Sequence, residues 1–254
     1  MTPSPEILSS AQPDPDYLQI LKSSRPPPLP ANVDIPTLRA TSNKHKNEVR
    51  DALGSPPPNL TERDIEIPVR DGSNILAYVY SPSDVAPGHE LPIFLFFHGG
   101  GFCIGTRHDD MESNRILVLK AGIIIVSLDY RLAPEYPFPQ AIHDGVDALQ
   151  WIAQNPTQVH PSAAPSAGLI IGGTSAGANI ANGVVYLNRD LGSPAKVTGQ
   201  FLGVGPLLPT PLVPEKYKED YVSHEQNKDV TIPPEELARL FVGKKIRDAA
   251  QERS

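Results

Sequence analysis

The sequence predicts an α/β protein built on a doubly wound, mostly parallel sheet. Four short continuous apolar runs, the kind typical of buried parallel strands, lie at 92–97, 122–127, 168–173 and 199–205. Three segments of helical period lie between consecutive runs, at 109–120, 140–153 and 176–190. Because strand and helix alternate from about residue 92 onward, we expect right-handed crossovers with helices on both faces of the sheet.

The same sheet is expected to start with an antiparallel hairpin. Apolar and polar residues alternate over 64–70, and 75–80 is rich in β-branched and aromatic residues. The dipeptide Asp71-Gly72 between them is a strong turn signal. Near the other end of the chain a further helix is expected over 233–252, and no strand pattern follows it.

Composition excludes several classes of function. The 22 Lys and Arg against 29 Asp and Glu give a formal charge of -7 without any basic run, so neither nucleic acid nor anionic lipid is an expected partner. No apolar stretch approaches the about 18 residues of a membrane helix, and the N-terminus lacks a signal-peptide pattern. Cys103 is the only cysteine, which excludes an intramolecular disulfide. We therefore expect a cytoplasmic protein without a membrane span.

Proline marks the domain organisation. Many of the 29 prolines fall in the N-terminal part of the chain, at 25–30 and 55–58. Residues 1–61 are therefore expected to be an extended lead-in and cap segment with one or two short helices, although a PxxP ligand for a partner domain is an alternative. The core is expected over 62–254, with a cap region at 208–245.

A small-residue motif joins one predicted strand to the next helix. It reads Gly173-Thr174-Ser175-Ala176-Gly177 and matches G-x-S-x-G in its required strand, turn and helix context. A nucleophile in such a strained turn needs neighbours without bulk, and the helix amides that follow face any negative charge that develops. The alternative is a small-residue turn with an incidental serine.

A second motif, His98-Gly99-Gly100-Gly101, ends the predicted strand 92–97. Consecutive glycines let the backbone turn its N–H groups outward, where they can bind an oxyanion. A phosphate-binding loop is the competing interpretation, but the G-x-x-x-x-G-K-S/T pattern is absent. The pair of motifs indicates an acyl-transfer site.

Three stretches of the chain resemble the hormone-sensitive-lipase family of α/β-hydrolases. They are HGGGF at 98–102, DYRLAPEYPFPQAIHD at 129–144 and GTSAG at 173–177. The resemblance implies an α/β-hydrolase fold with a helical cap, and no metal or organic cofactor. It also implies short-chain acyl esters as small-molecule substrates, while the oligomeric state stays open.

The resemblance assigns roles to individual residues. Ser175 is the implied nucleophile, and the N–H groups of Gly99, Gly100 and Ala176 form the implied oxyanion hole. The supporting residues that it implies are His98, Gly101, Gly173, Gly177, Asp129, Arg131 and Glu135. His143-Asp144 mimics a catalytic pair, but Asp144 falls where the family has a structural carboxylate near a helix start.

The acid and base of the family have no clear counterparts in the sequence. In the family they lie about 100 and about 130 residues beyond the serine, a count that runs past Ser254. His224 is the only histidine after Ser175, and it is either the base or a solvated cap residue. We therefore expect a chain that lacks the last strands of the fold. The tail from about Gly243 is expected to be translated intron sequence.

The function expected from these motifs is carboxylic-ester hydrolysis through a serine nucleophile and a glycine-loop oxyanion hole. Two alternatives stay open. One is a catalytically dead, receptor-like ligand-binding member of the same family, and the other is a non-functional truncated product.

Overall fold

A computed structural model describes residues 14–24, 34–208 and 212–222 of the chain. The described strands are β1 (Leu60–Pro68), β2 (Asn74–Pro82), β3 (Ile93–Phe97), β4 (Ile124–Leu128), β5 (Leu169–Thr174) and β6 (Gly199–Gly203). The described helices are α1 (Pro15–Ser24), α2 (Ile35–Leu53), α3 (Met111–Ala121), α4 (Gln140–Gln154), α5 (Pro156–Val159) and α6 (Ala176–Asp190), with a 3₁₀ turn at Glu215–Tyr217.

The described strands form one sheet in the order β1-β2-β4-β3-β5-β6. Strand β2 pairs antiparallel with both of its neighbours, β1 and β4, whereas β4, β3, β5 and β6 run parallel. The hairpin turn contains Gly72, whose φ is 85° and whose N–H donates to Val69 O at 2.9 Å. The predicted antiparallel start, the parallel continuation and the three predicted helices are confirmed.

Two apolar cores cover the two faces of the sheet. Alternate residues of β3 divide between them, because successive side chains of a strand point to opposite faces. One core takes Ile93, Leu95 and Phe97 together with buried residues of α4 and α6. The other takes Phe94 and Phe96 together with residues of α3. The carboxyl ends of β3 and β5 therefore lie between packed layers that hold them in place.

The N-terminal segment differs from the expectation of short helices, because α2 is 19 residues long. Asp34 caps it by accepting a hydrogen bond from the N–H of Thr37, and Gly54 with φ 68° ends it. The helix buries none of its own residues, so it lacks the apolar stripe by which a helix is usually predicted. The proline run at 25–30, the predicted helix at 233–252 and most of the predicted cap at 208–245 lie outside the described residues.

Strand β6 forms one edge of the described sheet, next to β5. Phe201 in this strand is 53% exposed, and its ring meets Phe94 edge to face across a centroid distance of 6.5 Å. Within the described ranges, no helix has both the length and the apolar character that a membrane crossing requires.

Candidate active site

Ser175 occupies the sharp turn between β5 and α6. Its φ of 55° and ψ of -117° are unusual for a residue with a side chain, and such strain collects at functional sites. The N–H of Ser175 donates to Gly203 O at 2.8 Å, which ties the turn to β6. The side chain is partly exposed at the carboxyl end of the sheet. This is the strand, tight turn and helix context that the motif predicted.

Glycines flank Ser175 because the neighbouring backbone leaves no room for a side chain. A Cβ atom on Gly173 would lie 2.3 Å from Phe97 O, and one on Gly177 would lie 2.0 Å from the same oxygen. Both distances are far inside van der Waals contact. Gly173 and Gly177 therefore let α6 approach the end of β3.

The three-glycine segment after β3 makes a turn of positive φ. The φ angles are 125° at Gly100, 58° at Gly101 and 66° at Phe102. The N–H groups of Cys103 and Ile104 both donate to Gly100 O, at 3.1 and 3.0 Å, and close the turn. We call residues 99–104 the glycine turn. A Cβ on Gly100 would fall 2.0 Å from Ile104 O, so this position excludes any side chain.

The glycine turn lies directly beside Ser175. A Cβ built on Gly99 would be 3.6 Å from Ser175 Cβ and 3.2 Å from Thr174 O. In the described residues, the N–H groups of Gly99, Gly100 and Ala176 donate to no backbone carbonyl. Ala176 is the first residue of α6, whose opening N–H groups have no partner inside the helix. The two sequence motifs thus meet around one point, with a hydroxyl and unpaired donors close together.

His98 lies behind the glycine turn and is fully buried. Its Nδ1 lies 2.7 Å from Gly99 O, and its ring stacks on Tyr130 at a centroid distance of 4.3 Å. The Tyr130 hydroxyl in turn donates to His98 O at 2.8 Å. Burial lowers the pKa of His98, which favours the neutral ring. These contacts hold the end of β3, and the supporting role of His98 in catalysis stays a prediction.

Charged residues of the 129–135 segment connect the turn to the surrounding elements. Asp129 accepts hydrogen bonds from the backbone N–H of Arg107 at 3.1 Å and from its guanidinium at 2.7 Å. Arg131 pairs with Asp144 at 2.6 Å and also with Asp71 of the hairpin. The hydrogen bond and charge of Asp144, and then of Asp71, raise the pKa of Arg131. The guanidinium is therefore permanently charged.

Asp144 is a structural carboxylate. It lies in the first turns of α4, is completely buried, and accepts hydrogen bonds from Arg131 and from Gln140 Nε2 at 2.8 Å. A carboxylate held in this way cannot orient the adjacent His143 as an acid and base pair would require. The expectation that Asp144 is structural agrees with this geometry.

Glu135 contacts a residue that the motifs did not identify. Arg39 of α2 reaches Glu135 at 2.8 Å, and it also donates to the main-chain oxygens of Cys103 and Ala133. Lys46, two turns further along the same helix, pairs with Asp109, which follows the glycine turn.

The sequence does contain signals for the two ends of α2. Asp34 before Pro36 is typical of a helix start, and Gly54 after Leu53 is typical of a helix end, but no apolar stripe lies between them.

Two further residues bear on which side chains could act in catalysis. His224 lies outside the described residues, so its proposed position as a base stays a prediction. Cys103 is buried, and burial raises the pKa of its thiol, which disfavours the thiolate that a nucleophilic cysteine needs. Among the residues that the structure describes, no group of three or more His, Cys, Asp or Glu is arranged to hold a metal ion.

Comparison with protein families gives one match over more than half of the chain. A family described as alpha/beta hydrolase fold matches residues 94–249, which include both motifs. An AB hydrolase superfamily protein of Schizosaccharomyces pombe is 31% identical over 219 residues, which cover 86% of this chain. The versiconal hemiacetal acetate esterase of Aspergillus parasiticus is 31% identical over 218 residues, which cover 85%. The chain spans 62% and 64% of the length of these two relatives.

Solved structures show the same architecture. A hyperthermophilic esterase from Pyrobaculum calidifontis superposes with a TM-score of 0.74 at 29% identity, over 93% of this chain and 72% of the esterase. The carboxylesterase EstE1, cloned from a metagenomic library, gives a TM-score of 0.68 at 30% identity, over 83% of this chain and 67% of its own. The chain is thus similar to esterases in both sequence and fold.

Proposed function

The chain belongs to the α/β-hydrolase fold family, with the sequence features of its hormone-sensitive-lipase branch, and from that premise we propose that it hydrolyses carboxylic esters with Ser175 as nucleophile. The observation that carries the proposal is the meeting of the two motifs. Ser175 sits in a strained turn, and the glycine turn presents unpaired N–H groups beside it. Acyl transfer requires a nucleophile with preorganised hydrogen-bond donors next to it.

The proposed reaction follows from these groups. Ser175 Oγ attacks the ester carbonyl, and a base takes the hydroxyl proton. The N–H groups of Gly99, Gly100 and Ala176 donate to the oxyanion of the tetrahedral intermediate, and the loss of one such donor costs about 2.7–4 kcal/mol by mutational precedent. The alcohol then leaves, and water releases the acyl group from the serine. His224 is the histidine of this sequence that we propose as the base to test first.

We propose that the substrate is a neutral ester with a short acyl chain. The formal charge of -7 and the absence of a basic run in the sequence disfavour anionic substrates. The relative from Aspergillus parasiticus is named for an acetate ester, and carboxylesterases of Mycobacterium tuberculosis match over about half of this chain. An acetyl or similarly small acyl group is consistent with both observations.

The test measures hydrolysis of p-nitrophenyl esters with acyl chains of increasing length, together with labelling by a fluorophosphonate. We expect the acetate to turn over and Ser175 to take the label. Ser175→Ala should lose both while keeping the circular dichroism spectrum, because the side chain lies on a turn outside the core. Ser166→Ala is the matched control, since Ser166 is an exposed serine on a different loop.

Two results would contradict the proposal. One is equal hydrolysis by the wild type and Ser175→Ala, which would remove Ser175 from the mechanism. The other is saturable binding of an ester without labelling or turnover, which would favour a receptor-like member of the family. His224→Ala tests the base separately, and unchanged kcat would exclude it.

A further inference from the structure

Helix α2 contributes one side chain to the back of the glycine turn. Arg39 Nε donates to Cys103 O at 2.7 Å, and its Nη2 donates to Ala133 O at 2.8 Å. The same guanidinium pairs with both carboxylate oxygens of Glu135, at 3.0 and 2.8 Å. One residue therefore joins α2, the glycine turn and the 129–135 segment.

The Cys103 carbonyl lies in a part of the glycine turn whose backbone conformation depends on hydrogen bonds from outside the turn. The N–H of the same residue closes the turn by donating to Gly100 O, and the preceding Phe102 has a φ of 66°. The carbonyl of Phe102 accepts a hydrogen bond from Ala133 N–H at 2.9 Å. Arg39 and the backbone of Ala133 thus fix two consecutive peptide groups directly after Gly101. A turn of successive positive φ angles persists only where its surroundings hold it.

The geometry requires a guanidinium. Arg39 uses Nε, Nη1 and Nη2 for acceptors on two separate segments, Cys103 on one and Ala133 with Glu135 on the other. The planar fork of arginine presents these donors in fixed directions, whereas a lysine ammonium is a single point on a flexible stem. The Arg39 side chain is 23% exposed, so these hydrogen bonds are partly protected from water.

We propose that Arg39 is a positioning residue for the oxyanion hole, supplied to the site by the N-terminal helix α2. It acts through the Cys103 carbonyl on the orientation of the Gly99 and Gly100 N–H groups, and it does not touch the substrate. The inference rests on the proposed function for its catalytic consequence. Its structural part, the holding of the glycine turn, stands independently and can be measured in the absence of any substrate.

The first experiment compares Arg39→Ala and Arg39→Lys with Arg50→Ala by amide hydrogen exchange. Arg50 lies on the same helix and pairs only with the adjacent Asp51 among the described residues, so it is the matched control. We expect the Cys103 and Ile104 amides, which close the turn, to exchange at least about tenfold faster in both Arg39 variants. Exchange unchanged from Arg50→Ala would overturn the inference, whether or not the protein is active.

The second experiment measures kcat and KM for p-nitrophenyl acetate in the same variants. A displaced oxyanion donor weakens the transition state more than the ground state, so we expect kcat to fall about 10-fold to 100-fold with KM changed less than about twofold. Arg39→Lys keeps the charge opposite Glu135 but cannot reach both segments, and it should recover only part of kcat. Thermal melts identify any variant that fails to fold, and Arg39→Lys then carries the comparison.

The outcomes separate the inference from the proposed function. Faster amide exchange in the glycine turn of the Arg39 variants, together with no Ser175-dependent hydrolysis in the wild type, would support the holding of the turn by Arg39 and contradict the proposed esterase activity. Ser175-dependent hydrolysis that keeps its full kcat in Arg39→Ala would contradict the positioning role of Arg39 and leave the proposed esterase activity unaffected. A rise in KM alone would assign α2 to substrate binding and would also overturn the inference.

Discussion

At the scale of single residues, two features of the structure, backbone conformation and crowding, restrict position 100 to glycine. Its φ of 125° is open to glycine and strained for other residues, and the space for a Cβ is already filled by Ile104 O. Gly122, at the end of α3, shares only the first constraint, because its φ is 63° and no atom lies within 4 Å of a Cβ placed there. The pair separates the effect of backbone conformation from the effect of crowding.

We expect Gly100→Val to lower kcat/KM by about 10²-fold or more, because the turn must move and misplace at least one oxyanion donor. Gly122→Ala should cost about 1 kcal/mol of stability and leave kcat/KM unchanged. Cys103→Ser should lower kcat/KM far less than Gly100→Val, because it leaves the backbone conformation of the turn and the main-chain hydrogen bonds to Gly100 and Arg39 in place. The measurements are steady-state kinetics and urea unfolding. Equal losses in Gly100→Val and Cys103→Ser would require a role for the thiol.

The sequence predicts the residues of the two motifs because a local pattern identifies them. Ser175 and the flanking glycines are specified by what a turn can accommodate, which is a local property of the chain. Arg39 is different, since its partners lie 64 to 96 positions away along the chain. A charged residue on a helix without an apolar stripe gives no local sign of such contacts.

At the scale of secondary-structure elements, α4 carries two aspartates three residues apart with different surroundings. Asp144 is fully buried against Arg131, which is itself 14% exposed. Asp147 pairs with Arg70, and although the Asp147 side chain is only 13% exposed, that of Arg70 is 42% exposed and in contact with water. Removing one member of a buried pair leaves an uncompensated charge, whereas a charge that water can reach loses less when its partner is removed.

We expect Asp144→Ala to lower the free energy of unfolding by about 3–5 kcal/mol, because the Arg131 charge loses its buried partner. Asp147→Ala, at the next turn of the same helix, should cost about 1 kcal/mol or less. Urea unfolding of both variants measures the difference. Equal costs would mean that Asp71, which already pairs with Arg131, compensates the guanidinium charge without Asp144.

Elements were predicted from the sequence where their burial produces a pattern. The strands β1 to β5 and the helices α3, α4 and α6 contribute buried residues to the cores, and their apolar patterns identify them. Strand β6 was predicted from its apolar run, although none of its residues is buried in the described part of the chain. The strand order is not encoded in that pattern, because the position of β4 between β2 and β3 depends on crossover connections. The length of α2 was underestimated for a related reason, since none of its residues is buried.

At the scale of the whole molecule, three histidines resist protonation in the folded state. Burial lowers the pKa of His98, His108 and His160 from 6.5. Below about pH 6.5 the unfolded chain therefore binds more protons than the folded chain. The stability that these groups contribute is fully present above that pH and is lost as the pH falls toward their folded pKa values.

We expect the free energy of unfolding to fall between pH 7.5 and pH 5.5, by up to about 1.4 kcal/mol per pH unit for each histidine. Urea unfolding at the two pH values checks this, above the ordinary pKa range of carboxyl groups. Burial raises the pKa of Asp110, whose protonation acts in the opposite direction and would reduce the loss. His160→Asn should flatten the dependence, because asparagine does not titrate. Its amide oxygen can replace Nδ1 as acceptor for Ser162 N–H, which keeps the local structure. The exposed His89 provides the control His89→Asn. Stability that rises on acidification would refute the sign.

The crowding around Phe97 O makes the residue types that one motif tolerates depend on the position of the other motif. Gly173 and Gly177 face this one oxygen, which directly precedes His98 and its glycines. A larger residue at either glycine would push the end of β3, and with it the glycine turn, although the two motifs lie about 75 positions apart. Because the crowding involves a main-chain oxygen, it restricts positions 173 and 177 whatever side chain stands at position 97. Chimeras that exchange either stretch should therefore keep their activity only when both positions remain glycine.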